Sequence, residues 1–434
     1  MAEFLTKNMA VNQAGHLTVS GVDMVSLAKE YGTPLYVMDE ALIRENCRLF
    51  RESIAQFYHG NGLVCYASKA FSCKEIYRIV QSEGLGIDVV SAGELYTARS
   101  VGFPAEKICF HGNNKTPEEL RYALEQNVGR IIVDNLTELE LLEQLAAEQD
   151  RTASIMLRIK PGIDAHTHSF IKTGQIDSKF GFALETGEAM AAVKEAQKLE
   201  HVELKGLHCH IGSQIFDITP FEAAAEVMLQ FMADIRRETG LLVRELNLGG
   251  GFGIKYVSED RPAPYESYME QVAEAVKKAA ARQELPVPFI YIEPGRSIVG
   301  AAGLTLYTVG GVKQIPKIRT YVSVDGGMTD NPRYALYEAR YEMLLANKAA
   351  EAKTETVTVA GKCCESGDLL GKDVPLQPAR PGDILAVLST GAYNYSMSSN
   401  YNRLPKPAVV LLRDGKARIA VKRETLEDLL RNDI

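Results

Sequence analysis

At 434 residues the chain exceeds one average domain, so two domains are expected. Hydrophobic residues make up 46% and charged residues 24%, an ordinary globular composition, and the net charge of −8 argues against general nucleic-acid binding, which needs a basic face. The start, MAEFLTKNMA, has no signal-peptide pattern, no apolar run is long enough to span a bilayer, and the seven cysteines form no CxxC pair; these features point away from a membrane or secreted protein and from a disulfide or structural-zinc framework, and toward a cytoplasmic enzyme of small molecules.

In chain order, the first 36 residues contain the strand-like HLTVSGV and TPLYVMD, and a helical stretch follows at 39–57. Strands are then predicted at 63–68, 86–90, 107–111, 130–134, 153–159, 204–211, 245–249 and 289–293. Helices are predicted between them at 73–83, 91–101, 116–127, 137–149, 185–199, 219–239 and 265–283. TPEELRYAL makes a good helix start, with Thr116 as N-cap, Pro117 first and Glu119 third. Eight strands alternating with helices predict an α/β fold, a (β/α)8 barrel, over a doubly wound open sheet. After about residue 304 the helix–strand alternation stops and Gly-rich and Asp-Gly turns separate β-rich segments. The expected division is a barrel at 37–300 and a mostly antiparallel β domain built from 1–36 and 301–434.

Barrel active sites form at the C-terminal strand ends, and the unusual residues of this chain fall there. Lys69 ends strand one. Asp88 lies in strand two with Glu94 beyond it, and Arg158 is near the end of strand five. His208 and His210 end strand six, GGGFG (249–253) follows strand seven and EPGR (293–296) ends strand eight. A lysine here either reaches solvent or serves as a Schiff-base amine, made nucleophilic by desolvation. The glycine loop is either a tight turn or a cup of backbone N–H groups for phosphate. His208 and His210 share a strand face and could ligate a metal, but no carboxylate stands at ligand spacing, so no metal is expected and stacking or hydrogen bonding is preferred. Glu293 either pairs with Arg296 or holds a ring nitrogen protonated. Amine, phosphate cup, acid and planar residue are together the parts of a pyridoxal phosphate site.

The ordered motifs YASKAF, DVVSAGEL, HCHIGSQ, LNLGGGFG, EPGRS and CCESGD resemble the alanine-racemase-like, fold type III family of pyridoxal phosphate decarboxylases, over about residues 30–410. The resemblance implies that Lys69 carries the cofactor aldehyde and His210 stacks on the ring. It implies phosphate contacts from Ser213, Gly250, Gly251 and Gly295, and a pyridinium partner in Glu293. Asp88 and Arg158 match positions that buttress the lysine and ring, with Arg296 also counted at the cofactor and Tyr393 near phosphate and substrate. Cys364 resembles the family's proton donor and Glu365 a substrate-binding acid, both reaching the site from the second subunit of a homodimer. Cys363 is read as packing.

Arg296, Arg333 and Tyr337 offer donors for a carboxylate, and Glu365 an acid for an amine; the resemblance adds Tyr393 beside the substrate. A substrate with a distal amino-acid head needs both, which favours meso-2,6-diaminopimelate, with L-lysine and CO2 as products, over ornithine or arginine. Ornithine/arginine-type and carboxynorspermidine-type decarboxylases, a racemase, a metal-dependent hydrolase and a non-catalytic regulatory relative are the alternatives; the last is disfavoured because Lys69 and Cys364 are both present. The long polar stretch 161–182, which carries His166 and His168, is expected to be a lid.

Overall fold

The computed structural model describes residues 6–163 and 178–434. Most of the stretch expected to be a lid, 164–177 with His166 and His168, lies outside the described residues. The chain forms two compact units: Asn46–Gly253 with Arg261–Gly295, and Met1–Glu45 with Ile254–Asp260 and Arg296–Ile434.

In the first unit eight parallel strands close into a barrel. They run Gly62–Ala67, Gly86–Val89, Ile108–Phe110, Arg130–Val133, Ala153–Lys160, Val202–His208, Glu245–Asn247 and Phe289–Ile292. Each pairs with the next, and the last returns to the first through Ile290 opposite Gly62. The (β/α)8 expectation is met. Helices follow the first seven strands, and their starts are legible: Ser91, Thr116 and Asn135 each accept the backbone N–H three residues on, and Thr116 completes a capping box with Glu119.

Strand periodicity organises the barrel interior. Cys65, Cys109, Ile132, Met156 and Tyr291 pack into one apolar cluster. Side chains alternate in direction along a strand, so the residue two positions later faces inward again. Those residues are Ala67, His111, Asp134, Arg158 and Glu293. The same strands therefore supply a dry apolar layer and, one step toward their C-terminal ends, a polar one.

Strand six ends at His208 rather than at 211. Cys209 N still donates to Asn247 O (2.9 Å), but the ladder stops where Gly249 and Gly251 take positive φ and turn the neighbouring chain away. His210 thus lies in a loop, and the argument that it shares a strand face with His208 does not hold.

The second unit is a mostly antiparallel sheet centred on the long strand Gly303–Ile315. That strand pairs antiparallel with Leu35–Asp39, Arg319–Val324 and Ile384–Leu388. TPLYVMD therefore does return to the C-terminal β segments. Leu304 and Leu306 enter one core with Leu35, Val37 and Val410, while Tyr307 and Val309 enter another with Ile254, Tyr256 and Val357. Burial of each such side chain stabilises the unit by about 1.5–3 kcal/mol. Ile254 and Tyr256 belong to this core, which is why Ile254–Asp260 clusters with the β-rich unit.

Candidate active site

Strand one ends at Ala67, and Ser68–Ala70 form a single 3-10 turn. Ser68 and Ala70 are buried, and Ser68 Oγ donates to Asp88 O and to Glu94 Oε2 (3.1 Å). The tight turn leaves Lys69 exposed between them. The sequence leaves open whether this lysine reaches solvent or is desolvated at a strand end; here it is exposed. Its charge acts on Asp88, Glu94 and His210, which places it among the polar residues of the barrel's C-terminal side.

Glu293 is the most heavily served acid of the barrel. It is buried, its backbone N donates to Gly249 O (2.8 Å), and Asn247 Nδ2 donates to its Oε1 (2.6 Å). His208 Nε2 stands 3.1 Å from Oε2, and His111 Nε2 stands 2.8 Å from Oε1 with its N–H direction off the line to that oxygen. Burial alone would raise the Glu293 carboxyl, but His111 and His208 hold it well below the usual range. Burial pushes the His208 imidazole down to about 4, against the attraction of Glu293. A neutral His208 donating from Nε2 leaves its buried Nδ1 without a hydrogen-bond partner.

Asp88 is buried two strands away, with Oδ1 lacking a hydrogen-bond partner and 3.9 Å from His111 Nε2. Burial pushes its carboxyl up against the pull of His111, and the charge of Glu293 adds to the rise. Arg158 is buried, lies 4.0 Å from Asp134 and has its guanidinium 4.2 Å from the Phe180 ring centroid. His210 Nδ1 accepts from Gly250 N (3.3 Å), and burial, with the nearby charge of Lys69, keeps its ring far from protonation. A neutral imidazole presents a flat face suited to stacking on a ring. Ser213 is half-buried in the same loop.

The glycine loop is built for close backbone approach. A Cβ on Gly250 would lie 2.1 Å from Glu293 O, and one on Gly251, at φ +106°, would lie 2.3 Å from Gly212 O. A Cβ on Gly295 would come within 2.9 Å of the Ala67 side chain. The residues present fit pyridoxal phosphate: an amine, a neutral imidazole, a held carboxylate for a ring nitrogen, and glycines whose bare backbone can approach a phosphate. His111, His208 and Glu293 also bring ligand atoms within 4.8 Å of one another, a spacing that a divalent ion could use. The pair considered from sequence, His208 with His210, does not: His210 faces Gly250 instead.

In the β-rich unit, Arg296 and Arg333 are buried against tyrosines. Arg333 Nη1 donates to Tyr256 OH (3.1 Å) and Tyr341 OH (2.8 Å), and Arg296 Nη1 donates to Tyr256 OH. Burial would raise the Tyr256 phenol, yet the two guanidinium charges hold it below its usual range. The Tyr393 ring lies 4.7 Å from the Arg296 guanidinium and 5.6 Å from that of Arg333, and Tyr393 takes φ +73°, a costly conformation for a non-glycine residue. Among the described residues Arg333 has no carboxylate within ion-pair distance. Tyr337 ends the short helix Arg333–Tyr337 and is exposed.

Cys364 and Glu365 are exposed, and Cys364 N donates to Asn402 Oδ1 (2.8 Å). Cys363 is half-buried, and burial with the charge of Asp368 pushes its thiol up to about 11. Sequence reasoning missed His111, Asp134, Asn247, Tyr256 and Tyr341. The first two stand two positions after an apolar barrel residue, and that offset was the usable signal.

The profile of the pyridoxal-binding domain of pyridoxal-dependent decarboxylases matches residues 40–300. A diaminopimelate decarboxylase of Bacillus subtilis (strain 168) is 52% identical over 434 residues, covering 99% of this chain and 98% of its own length. One from Staphylococcus aureus (strain COL) is 49% identical, covering 97% and 98%. The crystal structure of the diaminopimelate decarboxylase of M. jannaschii in co-complex with L-lysine superposes with a TM-score of 0.91 at 36% identity, covering 99% of this chain and 98% of that one. A fold built this way, a rim that fits pyridoxal phosphate, and full-length similarity agree: the chain belongs to the diaminopimelate decarboxylase family of pyridoxal-dependent decarboxylases.

Proposed function

We propose that this chain decarboxylates meso-2,6-diaminopimelate to L-lysine and CO2, the last step of lysine biosynthesis, with pyridoxal phosphate as cofactor. The observation that carries the reading is Glu293, a buried carboxylate kept ionised at a barrel rim beside a glycine loop. When bound, the cofactor supplies an aldehyde and a ring that takes up the electron pair released with CO2.

The chain's residues do the rest. Lys69 offers its ε-amine as the holding group for the aldehyde. Glu293 keeps negative charge at the ring nitrogen, and His210 covers the ring face. Ser213, Gly250, Gly251 and Gly295 hold the phosphate with Tyr393, while Asp88 and Arg158 support lysine and ring. Arg296 and Arg333, with Tyr337 and Tyr393, take substrate carboxylates. Their burial against phenols, with no acid within ion-pair distance of Arg333 among the described residues, supports that role. Glu365 takes the distal amine. Cys364, from the second subunit of a homodimer, delivers the proton that replaces the carboxylate on the α-carbon; its exposure supports this over a packing role. Asn46–Gly253 with Arg261–Gly295, rather than the expected 37–300, make up the cofactor-binding domain, and the β-rich unit is the one that completes the dimer. Seven free cysteines fit work in the cytoplasm.

CO2 release from meso-diaminopimelate, ornithine and arginine tests the substrate. Release from the first alone is expected; preferential release from ornithine or arginine would overturn the assignment.

A further inference from the structure

We infer that His111, at the end of the third barrel strand, is a positioning residue that bridges Asp88 and Glu293 and holds the Glu293 carboxylate toward the cofactor ring. The inference rests on reading Glu293 as the partner of the ring nitrogen.

The geometry singles out His111 among the groups around Glu293. Among the described residues Asn247 and His208 each touch Glu293 and no second acid of the barrel rim, whereas His111 Nε2 stands 2.8 Å from Glu293 Oε1 and 3.9 Å from Asp88 Oδ1. Two buried carboxylates facing each other repel, and a side chain able to present an N–H to either one stabilises whichever it meets. That Nε2 is not aligned on the Glu293 oxygen and stands 3.9 Å from Asp88 Oδ1, which has no hydrogen-bond partner, so the His111 ring lies between the two acids. The backbone under the ring is fixed: His111 N donates to Val89 O (2.8 Å), tying strand three to strand two. The ring packs edge-on against His208, with centroids 4.9 Å apart and planes at 70°. His111 is thus a donor on a rigid mount aimed between two acids, one of which meets the cofactor.

The test measures pyridoxal phosphate binding by titrating stripped apoprotein, with the visible absorption maximum as a second readout. His111→Phe and, as a second donor-free variant, His111→Leu are each expected to weaken binding about 10- to 100-fold, the worth of a hydrogen bond to a charged group, and to move the absorption maximum. His111→Gln retains an N–H and is expected to bind within about threefold of wild type with the band restored. Combining Glu293→Gln with His111→Phe is expected to be no worse than Glu293→Gln alone, because the two act through one carboxylate. If the soluble donor-free variant binds like wild type with an unmoved band while Glu293→Gln is weakened, the role of His111 falls and that of Glu293 stands. If Glu293→Gln itself binds like wild type, the reading of Glu293 falls and the inference with it.

Discussion

Replacing Lys115 with Met should cost the barrel about 3–5 kcal/mol at pH 7.5, the usual loss when one partner of a buried ion pair is removed. Lys115 follows strand three and is buried, and its ammonium uses all three protons, on Gly112 O (2.8 Å), Ile132 O (2.7 Å) and Glu138 Oε1 (2.6 Å). Met keeps nearly the volume of the side chain, one atom shorter, so the loss is mostly one of hydrogen bonds and charge rather than packing. Glu138, itself buried and already pushed up by burial, is left without its cation. It then lowers the cost by taking a proton, so the loss should shrink at pH 5. For a unit of this size about 2–4 °C accompanies each kcal/mol, giving a fall of about 6–20 °C at pH 7.5. Thermal unfolding of the holoenzyme at both pH values measures it, with Lys115→Met/Glu138→Gln expected to recover part of the loss. A fall under about 2 °C at pH 7.5, or an equal fall at both pH values with no recovery in the double variant, would show that the pair is not held as argued.

Gly250→Ala should cost about 1–3 kcal/mol and weaken pyridoxal phosphate binding, because the new methyl meets Glu293 O at 2.1 Å and must push the backbone that carries that acid; unchanged melting and cofactor affinity would refute it. Asp330, buried with Tyr307 and Gly327 donating to it, has its carboxyl raised by burial from 3.8 to about 7. A raised folded-state value means the folded chain holds the extra proton, so this stability is present below about pH 4 and lost as pH rises toward about 7. Asp330→Asn should flatten the fall in stability across that window, and equal slopes for variant and wild type would count against it. Asp368 accepts from Met328 N and Cys363 N (both 2.7 Å), stitching the loop before Arg333 to the loop of Cys364 and Glu365. Asp368→Ala should therefore lower turnover at least tenfold while leaving cofactor affinity within about twofold, and a loss confined to cofactor binding would place its effect elsewhere.

The barrel was legible because its signals are local. Short apolar runs alternating with amphipathic stretches locate all eight strands to within a few residues, and the helix predicted at 219–239 runs Thr219–Thr239. Thr116, Pro117 and Glu119 announce a helix start because the capping bonds span only three residues. The site was legible where a residue type is costly without a purpose, as with Lys69, Glu293 and the glycine loop. The surroundings of Lys69 stayed open between solvent and a dry strand end, because a one-turn 3-10 segment after Ala67 sets its exposure, and no strand pattern foretells that turn. Tyr256 and Tyr341 escaped because their bonds to Arg333 join residues 77 and 8 apart through tertiary packing alone.

The polar layer of the barrel explains why an apolar one lies beneath it. Asp88, Asp134 and Glu293 are buried acids, against one buried guanidinium, Arg158, on the same rim. His208 is held neutral by its burial and so contributes donors rather than charge. A rim with more buried negative charge than positive is costly by itself, and the cost is largest where water is excluded. Cys65, Cys109, Ile132, Met156 and Tyr291 exclude it from below, and the strand periodicity places Cys109, Ile132, Met156 and Tyr291 directly under His111, Asp134, Arg158 and Glu293. A bound group that is cationic at Glu293 and anionic at the bare backbone of Gly250 and Gly251, as proposed above, would relieve the energy held in that imbalance. A protonated pyridine ring bearing a phosphate has that charge pattern. The apolar layer therefore belongs to the site as much as the acids do: opening it to water, for instance by Met156→Ser, would weaken cofactor binding without touching any residue that contacts the cofactor.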